Sequence, residues 1–171
     1  MSDKKKYIVT SVTLGVIAAC SAVLIGVTNL VTRDQIAKNE KNKINAGIVE
    51  IFGENASIWS SSEIDNHKYV KEGYTVGING YASAFAYRTT GSNAYGKISL
   101  IVGFDHSCQF VGVYMISDEQ TYASTLEDNY ISSINGGGDI DDVKCGATYG
   151  AKLVREMIND AQNCVNEIIW D

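Results

Sequence analysis

Residues 148–169 read TYGAKLVREMINDAQNCVNEII. Leu153, Val154, Met157, Ile158, Ala161, Cys164, Val165, Ile168 and Ile169 recur every three or four positions, so one broad face of a helix is apolar. Such a face needs a second layer to bury it, and the sequence ahead of it carries strand signals. Tyr81, Ser83, Phe85 and Tyr87 alternate with Ala82, Ala84, Ala86 and Arg88, which places aromatic side chains on one face of a strand. KISLIVGF (97–104) reads as a buried strand and QFVGVYMIS (109–117) as another, joined as a hairpin through residues 105–108. Thr90-Gly91-Ser92-Asn93 reads as a turn, and Asn55 to Asn66 as a polar loop. Strands followed by a closing helix predict an α+β domain, an antiparallel sheet with a C-terminal amphipathic helix.

The front of the chain is different material. From Tyr7 to Val31 no residue is charged (YIVTSVTLGVIAACSAVLIGVTNLV). At about 1.5 Å per residue, a helix of that length crosses a hydrocarbon core of about 30 Å with some tilt. Ile17-Ala18-Ala19-Cys20 also has the look of a lipoprotein cleavage box with Cys20 as the lipidated residue, but the apolar run continues through Ala22–Val27 beyond it. That continuation favours a single spanning helix over a cleaved leader. The expected organisation is a cytoplasmic tail at 1–6, a transmembrane helix at 7–31, a helical stalk at 32–53 and one domain at 54–171. In the stalk, Ile44, Ile48, Ile51 and Phe52 share a helical face, and Gly53 is a natural stop.

Charge follows the same division. Residues 1–43 hold seven Lys/Arg against three acids, a net +4; the remainder holds seven basic and seventeen acidic residues, a net −10. So acidic a body is a poor partner for a phosphate backbone, which argues against nucleic acid. The cluster Lys4-Lys5-Lys6 favours a cytoplasmic N-terminus and an exported domain, although Arg33, Lys38, Lys41 and Lys43 on the other side weaken that preference. The chain contains no proline, which excludes a Pro-rich linker. Cys20, Cys108, Cys145 and Cys164 lack metal-ligand spacing, so no metal site is expected; a disulfide among the last three is open. His67 and His106 read as isolated, and neither is assigned a catalytic role.

Ahead of the last helix lies GGGDIDDVKCGATYG (136–150). Glycines allow close approach of a ligand to the backbone, and the helix start offers unpaired N–H groups to a phosphate. The plainer alternative is that Gly146 makes the turn and Thr148 caps the helix.

Asp142-Val143-Lys144-Cys145-Gly146-Ala147-Thr148 resembles the attachment motif of the FMN-binding domain family, in which an Asp, two variable residues and Ser or Thr precede Gly-Ala-Thr. The resemblance implies covalent FMN on Thr148 through a phosphoester, installed from FAD by a flavin transferase with magnesium, outside the cytoplasm. Thr32–Glu40 and Tyr95–Asp105 (YGKISLIVGFD) are similar to the flavin-carrying subunits of Rnf-type ion-pumping electron-transport complexes, and a sodium-pumping quinone reductase uses a similar subunit. The implied role is a membrane-bound redox carrier, not catalytic alone, working with other membrane subunits in ferredoxin-to-NAD electron flow.

Implied flavin-binding positions are Thr148 with Asp142, Cys145, Gly146, Ala147 and Tyr149, and, from the loop Asp118–Ser124, Glu119, Thr121 and Tyr122. Tyr122 and Tyr149 are the stacking candidates. Asp139, Asp141 and Asp142 are candidates for magnesium during attachment, with Asp139 and Asp141 reading better as a solvated loop. Three departures stand out: Cys145 replaces a hydroxyl residue, the family's second Ser or Thr near Gly150 is missing, and the loop lacks the family's Pro and Gly. The alternatives are a flavin lipoprotein anchored at Cys20 and an adaptor without a cofactor.

Overall fold

The computed structural model describes residues 3–168, so residues 1–2 of the expected tail and Ile169 of the expected helix lie outside the described residues. Helix α1 (Asp3–Phe52) is shared between two compact units whose boundary follows Lys41. Within Val9–Phe52, an eighteen-residue stretch has mean hydropathy 2.2, and none of it is buried. The hydroxyls of Thr13, Thr28 and Thr32 donate back to the carbonyls of Val9, Leu24 and Thr28 at 2.8–2.9 Å, so they are satisfied inside the helix itself. The helix stops where expected: Gly53 takes φ +95° and returns its N–H to the Val49 carbonyl at 2.8 Å.

The second unit is built on a meander of five antiparallel strands in sequence order: β1 (Ala56–Glu63), β2 (Val70–Ile78), β3 (Tyr81–Asn93), β4 (Gly96–Asp105) and β5 (Phe110–Asp118). A short helical segment follows, α2 (Ala123–Thr125), a π turn (Leu126–Ile131) and α3 (Ser132–Asn135), and then α4 (Thr148–Ile168). The α+β class and the closing helix are as the sequence predicts.

Both faces of the sheet are covered, which explains why β4 is buried almost throughout. On one face Tyr87, Ile98, Leu100, Val102 and Phe104 pack with Val154, Met157, Ile158, Ala161 and Val165 of α4. On the other, Val76, Ala84, Ala86 and Ile101 pack with Ile44 and Ile48 from the end of α1. Lys43 adds a hydrogen bond from Nζ to the Ile116 carbonyl at 2.9 Å. From Ala84 to Tyr87 the alternation in β3 is therefore small against large, with Ala84 and Ala86 in one core cluster and Phe85 and Tyr87 in the other.

Two expectations are corrected, and one strand is added. Asn55–Asn66 is not a loop: most of it is β1, a Ser-rich edge strand that pairs on one side only and needs little apolar surface. Thr90–Asn93 is not a turn but the end of β3, where a Cβ on Gly91 would come within 2.9 Å of Leu153 and 3.0 Å of Met157, so the glycine lets α4 close on the sheet. β2 went unread; its turn into β3 is Asn79-Gly80, both at positive φ, a strong hairpin signal.

Candidate functional site

The first turn of α4 begins at Thr148, and the Ala147 carbonyl accepts the Ala151 N–H at 3.0 Å. Ala147 therefore occupies the cap position, and it has no side chain with which to cap. Among the described residues the Thr148 hydroxyl makes no hydrogen bond, so it is not serving as the cap that the plainer reading required. The backbone N–H groups of Thr148, Tyr149 and Gly150 likewise have no acceptor among the described residues. Gly146 enters this turn at φ +86°, a conformation that L side chains rarely adopt.

These residues open onto a cavity of about 360 Å³ lined by Tyr95, Gln120, Tyr122, Gly146, Ala147, Thr148, Tyr149 and Gly150. That lies within the roughly 300–1,000 Å³ of small-molecule sites. Tyr95 and Tyr149 pair at 5.2 Å between ring centroids with planes 31° apart, and Tyr122 is also exposed. The cavity thus joins a flat aromatic pair, a free hydroxyl and a helix start with open N–H groups. That donor set suits a planar aromatic ligand carrying a phosphate.

Of the residues singled out in the sequence, Thr148, Gly146, Ala147, Tyr149 and Tyr122 share this cavity. Four others do not line it. Asp142 is exposed, and its carboxylate accepts the Lys144 N–H at 3.4 Å. The Cys145 side chain packs against the core, while its carbonyl accepts the Asn129 amide at 3.0 Å. Glu119 and Thr121 are exposed. Asp139 accepts the Asp141 N–H at 2.9 Å, Asp141 pairs with Arg155 at 3.6 Å, and no three acidic, His or Cys residues among those described group to hold an ion.

Tyr95, Gln120 and Gly150, which no binding motif in the sequence marks, also line the cavity. Asn93 backs them: its side chain accepts from the Tyr95 N–H and Gln120, and donates to the Tyr149 carbonyl. Gly150 belongs to the helix start itself, whereas Tyr95 comes beside it only through the closed β3–β4 hairpin.

The cysteines are unpaired. Cys108 and Cys164 are core residues, and burial raises both thiols, Cys164 to about 11, which makes them inert rather than reactive. His67 is not isolated: its ring nitrogens lie 3.3 Å from Asp160 and 3.3 Å from Glu167, away from the cavity lining.

The first 51 residues match the family described as RnfG N-terminal region. Over 119 residues the chain is 26% identical to the G subunit of the ion-translocating oxidoreductase complex of Vibrio vulnificus (strain YJ016), a match that covers 64% of this chain. It spans 56% of the relative's length.

Proposed function

We propose, from its likeness to the RnfG N-terminal region and to a G subunit, that the chain is a membrane-anchored electron carrier of an Rnf-type ion-translocating oxidoreductase complex, bearing FMN on Thr148. The observation that carries the reading is the placement of the free Thr148 hydroxyl in the wall of the tyrosine-lined cavity. Bound FMN would supply one- and two-electron exchange, and so link carriers of both kinds. The protein's part is placement. In attachment the Thr148 oxygen would bond to the FMN phosphorus of FAD as the pyrophosphate bond breaks, with AMP leaving and the hydroxyl proton passing to solvent. The open N–H groups of Thr148, Tyr149 and Gly150 would then receive the phosphate oxygens, and Tyr149 and Tyr95 would border the ring.

Residues 142–148 would be the segment read by the flavin transferase, which accounts for Asp142 and Cys145 lying outside the cavity lining. In this proposal, residues 7–31 cross the membrane once, the stalk and domain lie outside the cytoplasm, and other membrane subunits deliver and remove electrons in ferredoxin-to-NAD flow.

The test is co-expression with a flavin transferase, followed by a denaturing gel under ultraviolet light. A fluorescent band that disappears in Thr148→Ala, with its mass located on the peptide containing Thr148, is the expected result. A dark band from the wild-type chain would remove the assignment and leave the adaptor reading. An unmodified Cys20 in the mature protein would exclude the lipoprotein form.

A further inference from the structure

Gln120 projects from the loop that follows β5, and its amide is oriented by backbone groups two steps away. The Tyr95 N–H donates to Asn93 Oδ1 at 2.8 Å, and Asn93 Nδ2 donates to the Tyr149 carbonyl at 3.3 Å. A backbone N–H only donates and a carbonyl only accepts, so the oxygen of Asn93 is the atom that faces Gln120. Gln120 must therefore present Nε2 to it, at 2.9 Å, with the Gly96 carbonyl also at 3.5 Å. The backbone of Gln120 is held too, its N–H donating to Asp118 Oδ1 at 2.7 Å.

One atom of this chain of amides is left over. Gln120 Oε1 has no hydrogen-bond partner among the described residues. It lies against the first turn of α4, where a Cβ on Gly150 would come within 2.6 Å of it. Gln120 and Gly150 both line the cavity.

We propose that Gln120 Oε1 is the specificity-determining acceptor of the cavity, hydrogen-bonding a ring N–H of the planar cofactor. This rests on the reading of Thr148 as the flavin carrier. An oxidised isoalloxazine has a single ring N–H, at N3, flanked by two carbonyls. A fixed, acceptor-only oxygen complements that group. The tyrosine hydroxyls around it donate as readily as they accept, so they do not discriminate. A Cβ on Gly150 would crowd both this oxygen and the buried Leu126, at 2.6 Å and 3.0 Å.

The experiment uses the full-length protein, loaded in cells with flavin labelled with ¹⁵N at N3, and follows the exchange of the N3 proton with solvent by NMR. In the wild type the proton exchanges about two- to tenfold more slowly than in free FMN, the size expected of one hydrogen bond. Gln120→Met abolishes that protection while the covalent flavin remains, and Gln120→Glu, which keeps an acceptor oxygen, restores part of it. A wild-type N3 proton exchanging as in free FMN overturns the inference whether or not the variants fold. Protection unchanged by Gln120→Met overturns it as well. In both cases covalent flavin on the wild-type chain leaves the Thr148 reading standing; its absence removes both.

Discussion

Asp160 shows how one side chain can close a fold. Its carboxylate, 18% exposed, accepts the N–H groups of Tyr69 at 2.6 Å and Val70 at 3.2 Å, and lies 3.3 Å from the His67 ring. Burial opposes its ionisation, but the Tyr69, His67 and Val70 hydrogen bonds outweigh that and hold the carboxyl below its usual range. A depressed carboxylate stabilises the fold above the unfolded value of about 3.9, and the contribution is lost as pH falls through the folded value. Urea midpoints compared at neutral pH and across the acid range should therefore fall less steeply with acid in Asp160→Asn than in the wild type. Asp160→Ala should cost about 1–3 kcal/mol at neutral pH, since it leaves two backbone donors without their acceptor. Gly150→Val belongs to the same scale. Its Cβ would meet Gln120 Oε1 at 2.6 Å and the buried Leu126 at 3.0 Å, so overpacking of about 1–3 kcal/mol is expected in chemical unfolding. The role of Asp160 was not legible in the chain, because its partners stand some ninety residues earlier in a segment whose strand went unread.

The elements were legible in proportion to how apolar they are. α4 announced itself through a repeating face, and that face is what the structure buries: Met157 and Val154 are fully enclosed. Met157→Ala should destabilise the domain by about 2–5 kcal/mol in urea titration. β4 and β5 were equally plain as apolar runs. β1 was hidden because Ser57, Ser60, Ser61 and Ser62 face solvent on an edge that pairs with β2 alone. β2 was hidden because Gly73 and Gly77 interrupt its pattern. Each of those glycines lies where a Cβ would strike a neighbour, Tyr87 and Ile64 for Gly73 and Trp59 for Gly77, so tertiary packing selected them over strand preference. Thr90–Asn93 misled for the same reason: Gly91 looked like a turn residue, whereas its absent side chain makes room for α4.

At the scale of the whole chain, the second unit begins at Asn42, inside α1, not at the end of that helix. Ile44 and Ile48 are 6% and 1% exposed and cover the sheet face carrying Val76, Ala84, Ala86 and Ile101. A chain starting at Asn42 should therefore stay monomeric in size-exclusion chromatography. One starting at Gly53 should aggregate, because it leaves that face bare. A soluble, monomeric product from the shorter chain would show that the last turns of α1 are dispensable. By itself, the sequence determined what depends on composition and period: an uncharged segment long enough to cross a bilayer, an acidic body, an amphipathic closing helix, and a Gly-Ala-Thr turn at the start of that helix. These are local properties, readable within a few helical turns. Only the tertiary structure decided which residues share the cavity. Tyr95, Gln120 and Thr148 come from a hairpin, a loop and a helix start, and the antiparallel register of β3 on β4 together with the packing of α4 brings them within reach of one another, with Asn93 behind them. No local pattern encodes that juxtaposition, because it is set by the burial of side chains far from the cavity itself.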